Sequence, residues 1–294
     1  MSDKAWTGRT GGTRWMQRSL IALFRIINPV FLYPVVWLWV IGYIVGSRAA
    51  RRGSYYYWRH RLGYSALTAS FMLYLHFVEF GKAILDRFAA WAGRKVSIEI
   101  IGQELLDDLL SRSTGFIVLS SHIGNQELAG YNCSMSKTMH VLTYLGDSET
   151  VNSNRKEAFA KMGLQIIPYE KDGSHIFAMH NVLEKGEVLS VHGDRMFYGG
   201  RTLHADLLGE SAAFPEGCFR VAAMEQVPVI SLYMMRRSPD HYVLYVLPLS
   251  DGHYTVDNHK EQAQELLDSY VREMQRIIRL YPKQWFHFYE FWKQ

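Results

Sequence analysis

His122 stands five residues before Glu127 in the run Ser120-Ser121-His122-Ile123-Gly124-Asn125-Gln126-Glu127, and an imidazole with a carboxylate in reach is the equipment of general-base catalysis. The acid would hold one ring nitrogen and leave the other to take a proton from an attacking hydroxyl or amine, which is acyl-transfer chemistry. Spacing alone is weak evidence, since chance supplies such a pair in a chain with 12 histidines and 28 acids. The surroundings add to it. Phe116 to Ser121 is a continuous apolar run ending in serines, the pattern of a buried parallel strand, and ligands in open α/β sheets collect beyond the carboxyl ends of strands. Residues five apart on an unbroken helix point about 140° from each other, so contact needs a turn between them. Gly124 and Asn125 supply one; with Asn125 as the helix cap, Glu127 falls in the first turn and reaches back to His122. A polar pair satisfying itself at a strand end is the plainer alternative.

Other residues that could do chemistry are less eloquent. Arg155, in NSNRKEAF, could meet substrate or sit on a solvated helix face, and Arg236 and Arg237 fit a phosphate patch or plain solubility. His76 and Glu79, three apart, share a helix face and read as a polar patch among aromatics. His175/His180 and His192/Asp194 have no HExxH or cysteine cluster beside them, which argues against zinc. There is no GxSxG elbow, no GxGxxG after a strand and no Walker A loop, so the common serine hydrolase, dinucleotide and nucleotide readings fall away, and no nucleic-acid motif is present.

The elements that must position His122 follow from periodicity. From about Ile98, short β-type runs (VSIEII, GFIVLSSH, MHVLTYLG, LQIIPY, GEVLSVHGD, VPVISLYMMR, YVLYVLPL) alternate with helical stretches at Gln103 to Arg112, Asn152 to Met162, Ser174 to Leu183, Phe219 to Glu225 and about Lys260 to Tyr281. Strands separated by helices predict an α/β domain with a mainly parallel central sheet flanked by helices. Before it, Pro29 to Gly46 runs about eighteen residues without a charge, between Lys4, Arg9, Arg14, Arg18 and Arg25 on one side and Arg48, Arg51, Arg52, Arg59 and Arg61 on the other. Bulky, Trp-rich and proline-containing, it is a poor cleaved signal and a good retained anchor, either tilted through a bilayer or lying in its interface. Pro29 and Pro34 either kink it or mark a late helix start near Pro34. Tyr64 to Trp91 reads as one or two amphipathic helices. The division is therefore an N-terminal basic, hydrophobic membrane-anchoring region over 1–92 and an α/β catalytic domain over 93–294.

Composition narrows the class further. At 294 residues, 48% hydrophobic and 14% aromatic, the chain can bury a large core. Two cysteines, Cys133 and Cys218, make neither a disulfide framework nor a Cys-rich zinc site and suit a reducing compartment. A net charge of +4 is a mild excess that suits acidic carriers and anionic headgroups.

Five blocks in order resemble the lysophospholipid acyltransferase superfamily and, within it, the late acyltransferases of lipid A biosynthesis. They are the N-terminal anchor, SHIGNQE, EKGEVLSVHGDRMFYGGR, LLGESAAFPEGCFRVAAMEQVPVISLYMMRR, and YPKQWFHFYEFWK. The resemblance implies a glycerolipid acyltransferase-like fold. It also implies direct transfer of a fatty acyl chain from acyl carrier protein, or coenzyme A, to a hydroxyl or amine of a lipid A precursor or related envelope lipid, with His122 as base and Glu127 as its orienting partner. Asp194 and Arg195 match a block near the site, where the arginine would steady the thioester oxygen, the alternative being a surface ion pair. Glu216 and Gly217, in FPEG, match a loop close to phosphate or acceptor, the alternative being a simple helix start. The resemblance calls for no metal or bound cofactor, and it implies a place at the bacterial inner membrane with the catalytic domain facing the cytoplasm, an orientation that the basic flanks on both sides of the anchor leave undecided. Two departures, Gln126 where tryptophan is common and HGDRMF around Asp194, bear on the acceptor more than on the reaction. An inactive lipid-binding relative, or a thioesterase or lipid hydrolase using the same base, are the competing readings.

Overall fold

The computed structural model describes residues 14–132, 136–143, 159–160, 163–170, 172–195 and 200–293. The N-terminal region is helical: α1 (Arg14–Phe24), a 3-10 turn at Pro29–Leu32, α2 (Tyr33–Gly46), α3 (Arg48–Tyr56), a π-turn at Tyr57–Arg61, and α4 (Ala66–Trp91). Proline tolerates only a first helical turn, and α2 accordingly starts at Tyr33 with Pro34 in its first turn. Arg51 reaches back to the carbonyls of Ile44 and Val45 and satisfies two of the groups orphaned at the end of α2. The Tyr64 to Trp91 stretch forms one 26-residue helix, started by the Ser65 hydroxyl accepting from the Thr68 N–H at 3.2 Å.

α2 lies along α4. Trp37 meets Tyr74 edge-on at 5.7 Å, Tyr43 meets Phe77 at 5.6 Å, and Gly81 lets Val36 close in where any Cβ would stand 2.5 Å from it. The opposite side of α2, with Leu38, Trp39, Ile41 and Val45, is exposed, as are Leu67 and Phe71 of α4. Among the described residues, Pro29–Gly46 is the one helical stretch long and apolar enough to cross a membrane.

The rest builds on a seven-stranded sheet. In chain order the elements are β1 (Ser97–Ile101), α5 (Gln103–Ser111), β2 (Phe116–Ser120), α6 (Gln126–Asn132), β3 (Met139–Thr143), β4 (Gln165–Pro168), α7 (Ser174–Glu184) and β5 (Val188–His192). There follow a hairpin of β6 (Thr202–Asp206) and β7 (Ser211–Pro215), then α8 (Glu216–Glu225), β8 (Val229–Ser238), β9 (His241–Ser250) and α9 (His259–Leu280). The sheet order is β1-β9-β8-β2-β5-β3-β4, and every neighbouring pair is parallel except β8 and β9. The sheet is mainly parallel and flanked by helices, as the alternation of elements predicts. The hairpin β6–β7 is an addition: its first strand alternates polar and apolar residues, but over only five positions that follow a glycine pair, too short a run to stand out in the sequence. The helical stretch expected at Asn152 to Met162 lies almost wholly outside the described residues.

Central strand β2 is buried along its whole length because both faces are covered, which is why it reads as a continuous apolar run. One hydrophobic cluster runs from the N-terminal helices into the sheet, joining Tyr57, Trp58 and Phe77 to Ile117, Leu119, Tyr233 and Trp285. Polar ties reinforce it. Asp86 of α4, 4% exposed, accepts from the hydroxyls of Tyr33 and Tyr242, while Arg236 at the end of β8 pairs with Glu79. Arg236 is thus neither a solvated cation nor an open phosphate ligand. Arg237, by contrast, is exposed and pairs with Glu99 at 3.4 Å.

Candidate active site

The site forms where two adjacent central strands end. β2 and β5 run parallel with Ser120 paired to His192, so two residues further on His122 comes opposite Asp194. Asp194 grips His122 with both oxygens: Oδ2 accepts from the backbone N–H at 2.7 Å and Oδ1 lies 2.8 Å from ring Nδ1. The turn carrying Asp194 is anchored in turn, since Ser120 O accepts from Gly193 N at 2.9 Å and from the buried Tyr270 hydroxyl at 3.0 Å. A carboxyl this buried would keep its proton at neutral pH if nothing held its charge. Burial pushes the carboxyl up, but attraction and hydrogen bonding to His122, with the charges of His192 and Arg195, outweigh it and keep the group well below the usual range.

Asp194 is therefore an ionised acceptor, and a ring nitrogen facing it carries the proton. That assigns His122 as the Nδ1–H tautomer and leaves Nε2 with its lone pair. Burial and the neighbouring Arg195 charge lower the imidazole's pKa against the pull of Asp194, so the ring is neutral at pH 7. The His122 side chain remains 27% exposed, so an edge of the ring is reachable from outside. His192 lies beside it with ring centroids 4.6 Å apart and is held through Nδ1 by the Ser120 hydroxyl at 2.9 Å.

The expected partnership of His122 with Glu127 is corrected by this geometry. Ile123 is drawn into a bridge with Trp285 and Gly124 turns with φ +72°. α6 then starts with Glu127 turned toward α4, where the carboxylate meets Arg87 at 3.4 Å. The other carboxylate oxygen of Glu127 is buried without a hydrogen-bond partner, and so is Nε of Arg87. Asn125 does lie just before α6, but its side-chain amide is engaged with Ala83 O at 3.0 Å.

The remaining expected residues divide. Arg195 follows Asp194 and is half-buried beside Tyr289; burial pulls its guanidinium below the usual arginine range while Tyr289 and Asp194 pull the other way. Glu216 and Gly217 open α8, whose Phe219 packs against Gly193: a Cβ there would stand 3.2 Å from the phenyl ring. Glu216 itself is buried and pairs with Arg220 at 2.8 Å, one turn on. Space is open around the Cα of Gly217. Cys218, next along, has its thiol pushed up to about 12 by burial and is inert as a nucleophile at neutral pH. Arg155 lies outside the described residues.

Two contributors had no role assigned from the sequence: His192, which lay in a family block and in a rejected metal pair, and the C-terminal run Pro282 to Trp292, which was a family block with no candidate site residue in it. In the fold that run is a strap along the loop from His122 to Asn125, with Phe286 N donating to His122 O at 3.0 Å and Gly124 N to Gln284 O at 2.7 Å. Among the described residues, His122, His192 and Asp194 are the group whose ligand atoms converge, all within 4.8 Å. They could take a metal ion only by giving up the proton that His122 shares with Asp194, and that bond already explains their arrangement.

A neutral imidazole held by an ionised carboxylate, set at the end of a mainly parallel sheet beside helices with an exposed apolar side, is an arrangement suited to group transfer. The chain belongs to the bacterial lipid A biosynthesis acyltransferase family, whose sequence model matches residues 73–294, about three quarters of its length. It is an acyltransferase. Among solved structures, it is similar to the 1-acyl-sn-glycerophosphate (LPA) acyltransferase PlsC from Thermotoga maritima. The identity is 12% and the TM-score 0.39, over 89% of this chain and 98% of that one. No curated protein matches the chain.

Proposed function

We propose that the protein transfers a fatty acyl chain from an acyl carrier protein thioester, or a coenzyme A thioester, to a hydroxyl of a lipid A precursor or related envelope lipid. His122 is the general base and Asp194 its orienting partner. The observation that carries this reading is the double grip of Asp194 on His122, which fixes both the ring's direction and its tautomer. Nε2 takes the proton as the acceptor oxygen attacks the thioester carbonyl. The tetrahedral intermediate then collapses to the new ester, and the same proton passes to the departing thiolate. Arg195 supplies positive charge beside the oxygen on which negative charge develops. Glu216 and Gly217, on the first turn of α8, border the acceptor side, and Glu127 supports the site through Arg87 instead of orienting the base. The family supports an envelope-lipid acceptor, and the exposed apolar side of α2 and α4 supports residence at the bacterial inner membrane with the catalytic face toward the cytoplasm, where carrier proteins are loaded.

The test is acyl transfer by detergent-purified protein, given acyl carrier protein loaded with chains of several lengths and a total envelope-lipid extract, followed by mass spectrometry. Wild-type protein should add one acyl mass to one lipid class, and His122→Ala should add none. Free fatty acid without acylated lipid would make the protein a thioesterase, and binding of lipid without any turnover would make it a lipid-binding relative of these enzymes.

A further inference from the structure

We infer that Gln284 is a positioning residue for the active-site loop, an assignment that rests on His122 being the base. Gln284 is 9% exposed and makes four hydrogen bonds, its own N–H donating to Tyr281 O at 2.9 Å at the end of α9 and the other three joining it to β8 and to the loop after His122. Its side-chain amide closes a two-way bridge with the main chain of Arg236 at the end of β8, accepting from Arg236 N at 2.9 Å and donating to Arg236 O at 2.8 Å. Its own carbonyl accepts from Gly124 N at 2.7 Å.

The next two residues complete the junction. Trp285 pairs antiparallel with Ile123, and Phe286 N donates to His122 O at 3.0 Å. On its other side the loop is held by Asn125 N donating to Met234 O at 2.8 Å and by the Gln126 side chain donating to Leu232 O at 2.8 Å. The segment bearing His122 is thus a bent loop held between the end of β8 and the strap, with a single bridge at Ile123, and Gln284 is the stitch that ties strap and β8 to each other.

Only glutamine suits this place. A donor and an acceptor are needed on one planar group, which glutamate lacks when ionised, and asparagine falls a methylene short. The strap has further anchors, with His76 Nε2 at 2.8 Å from Trp285 O and the Tyr57 hydroxyl donating to Pro282 O at 2.9 Å. Loss of the Gln284 amide therefore loosens the strap locally without detaching it. His122 feels the change through its own main chain, because the same residue offers its N–H to Asp194 and its carbonyl to the strap. A shift of a few tenths of an ångström there misaims Nε2, and misplacement by about 1 Å costs on the order of 100-fold in rate.

The experiment compares wild type, His122→Ala, Gln284→Ala, Gln284→Met and Gln262→Ala, with dodecanoyl acyl carrier protein as donor and the envelope-lipid extract as acceptor. Gln284→Met keeps length and volume and removes only the hydrogen bonds. Gln262 is the matched control, a buried glutamine whose amide donates to Val256 O at 2.7 Å and is bonded to His259 Nδ1 at 2.9 Å, away from the loop. Both Gln284 variants should lose about 10- to 100-fold in kcat with KM within about twofold, and Gln262→Ala should stay within about twofold in both. Independently of turnover, nitrogen-15 histidine NMR of the purified proteins should show the His122 Nδ1–H resonance sharp in wild type and shifted or broadened in Gln284→Met. Wild-type kcat with an unchanged His122 signal in Gln284→Met overturns the assignment, and so does an equal loss in Gln262→Ala, which would mark a general loss of stability. Activity persisting in His122→Ala would instead remove the base itself.

Discussion

An aspartate that holds a histidine by ring and backbone together leaves little for the remaining carboxylate to do, and the two acids should part company under mutation. Asp194→Asn keeps the shape but lets the amide donate to Nδ1, which favours the wrong tautomer, so kcat should fall on the order of 10²- to 10⁴-fold. Glu127→Gln, which loosens a 3.4 Å ion pair to Arg87, should lower it by less than about tenfold. The pH profile separates them as well. His122 sits below its ordinary pKa through burial and Arg195, and the base works only unprotonated, so kcat/KM should rise along one acidic limb with a midpoint under about 6.5 and be flat through neutrality. Removing the Asp194 charge takes away the one group that favours the imidazolium, and the midpoint should move lower still in Asp194→Asn while staying put in Glu127→Gln. Steady-state kinetics across pH 4.5 to 8 read both effects; a midpoint that moves with Glu127 and ignores Asp194 would restore Glu127 as the orienting acid.

Among the elements, α4 and the strap meet at His76, which is wholly buried, bonded through Nδ1 to the Ser54 hydroxyl at 2.9 Å and through Nε2 to Trp285 O. Burial holds its pKa at about 4, despite the Trp285 carbonyl and Glu79 pulling upward. The unfolded chain takes up this proton near pH 6.5, so the contribution is whole above that pH and is lost as pH falls from about 6.5 toward 4, by at most on the order of 3 kcal/mol. Melting temperatures should drop over that range, and His76→Gln, which cannot be protonated, should flatten the drop; an unchanged slope would place the titration elsewhere. Legibility in the sequence follows the same division between local and distant. The buried run Phe116 to Ser121 and the helical character of Tyr64 to Trp91 were readable, because period acts within a few residues, while only the fold decides whether that stretch is one helix or two and whether the prolines kink α2 or start it. Glu127 was misjudged because its direction depends on Trp285 drawing Ile123 aside, a contact across more than a hundred and fifty residues. Asp194 was expected near the site but not as the hydrogen-bond partner of His122, since nothing in either run says that β2 and β5 are neighbours. His192 and Gln284 stayed hidden for that same reason.

At the scale of the whole molecule, one side of the N-terminal helices is greasy and the end of the sheet beside them holds the base. Fourteen residues of α2 span about 21 Å, and the 3-10 turn before it adds about 8 Å, which together just match a hydrocarbon core of about 30 Å. Exposed Arg48 and Arg52 follow at once, where headgroups would lie. Leu38→Asp combined with Trp39→Asp, on the exposed side, should release the protein from phosphatidylethanolamine–phosphatidylglycerol vesicles in a flotation assay while its melting temperature holds within a few degrees. Retention on the vesicles would assign membrane contact to another surface. The rung that pairs Ser120 with His192 has a last consequence, for how such a chain can change. The two halves of the His122–Asp194 pair are 72 residues apart, and that separation is free: loops and helices between the strands can lengthen or shrink without disturbing it. The two-residue overhang beyond the rung is not. One residue inserted between Ser120 and His122, or between His192 and Asp194, would carry the base about 3.3 Å past its acid and turn it to the other face of the sheet. Length variation should therefore gather in the connections between β2 and β5 and spare those two short overhangs.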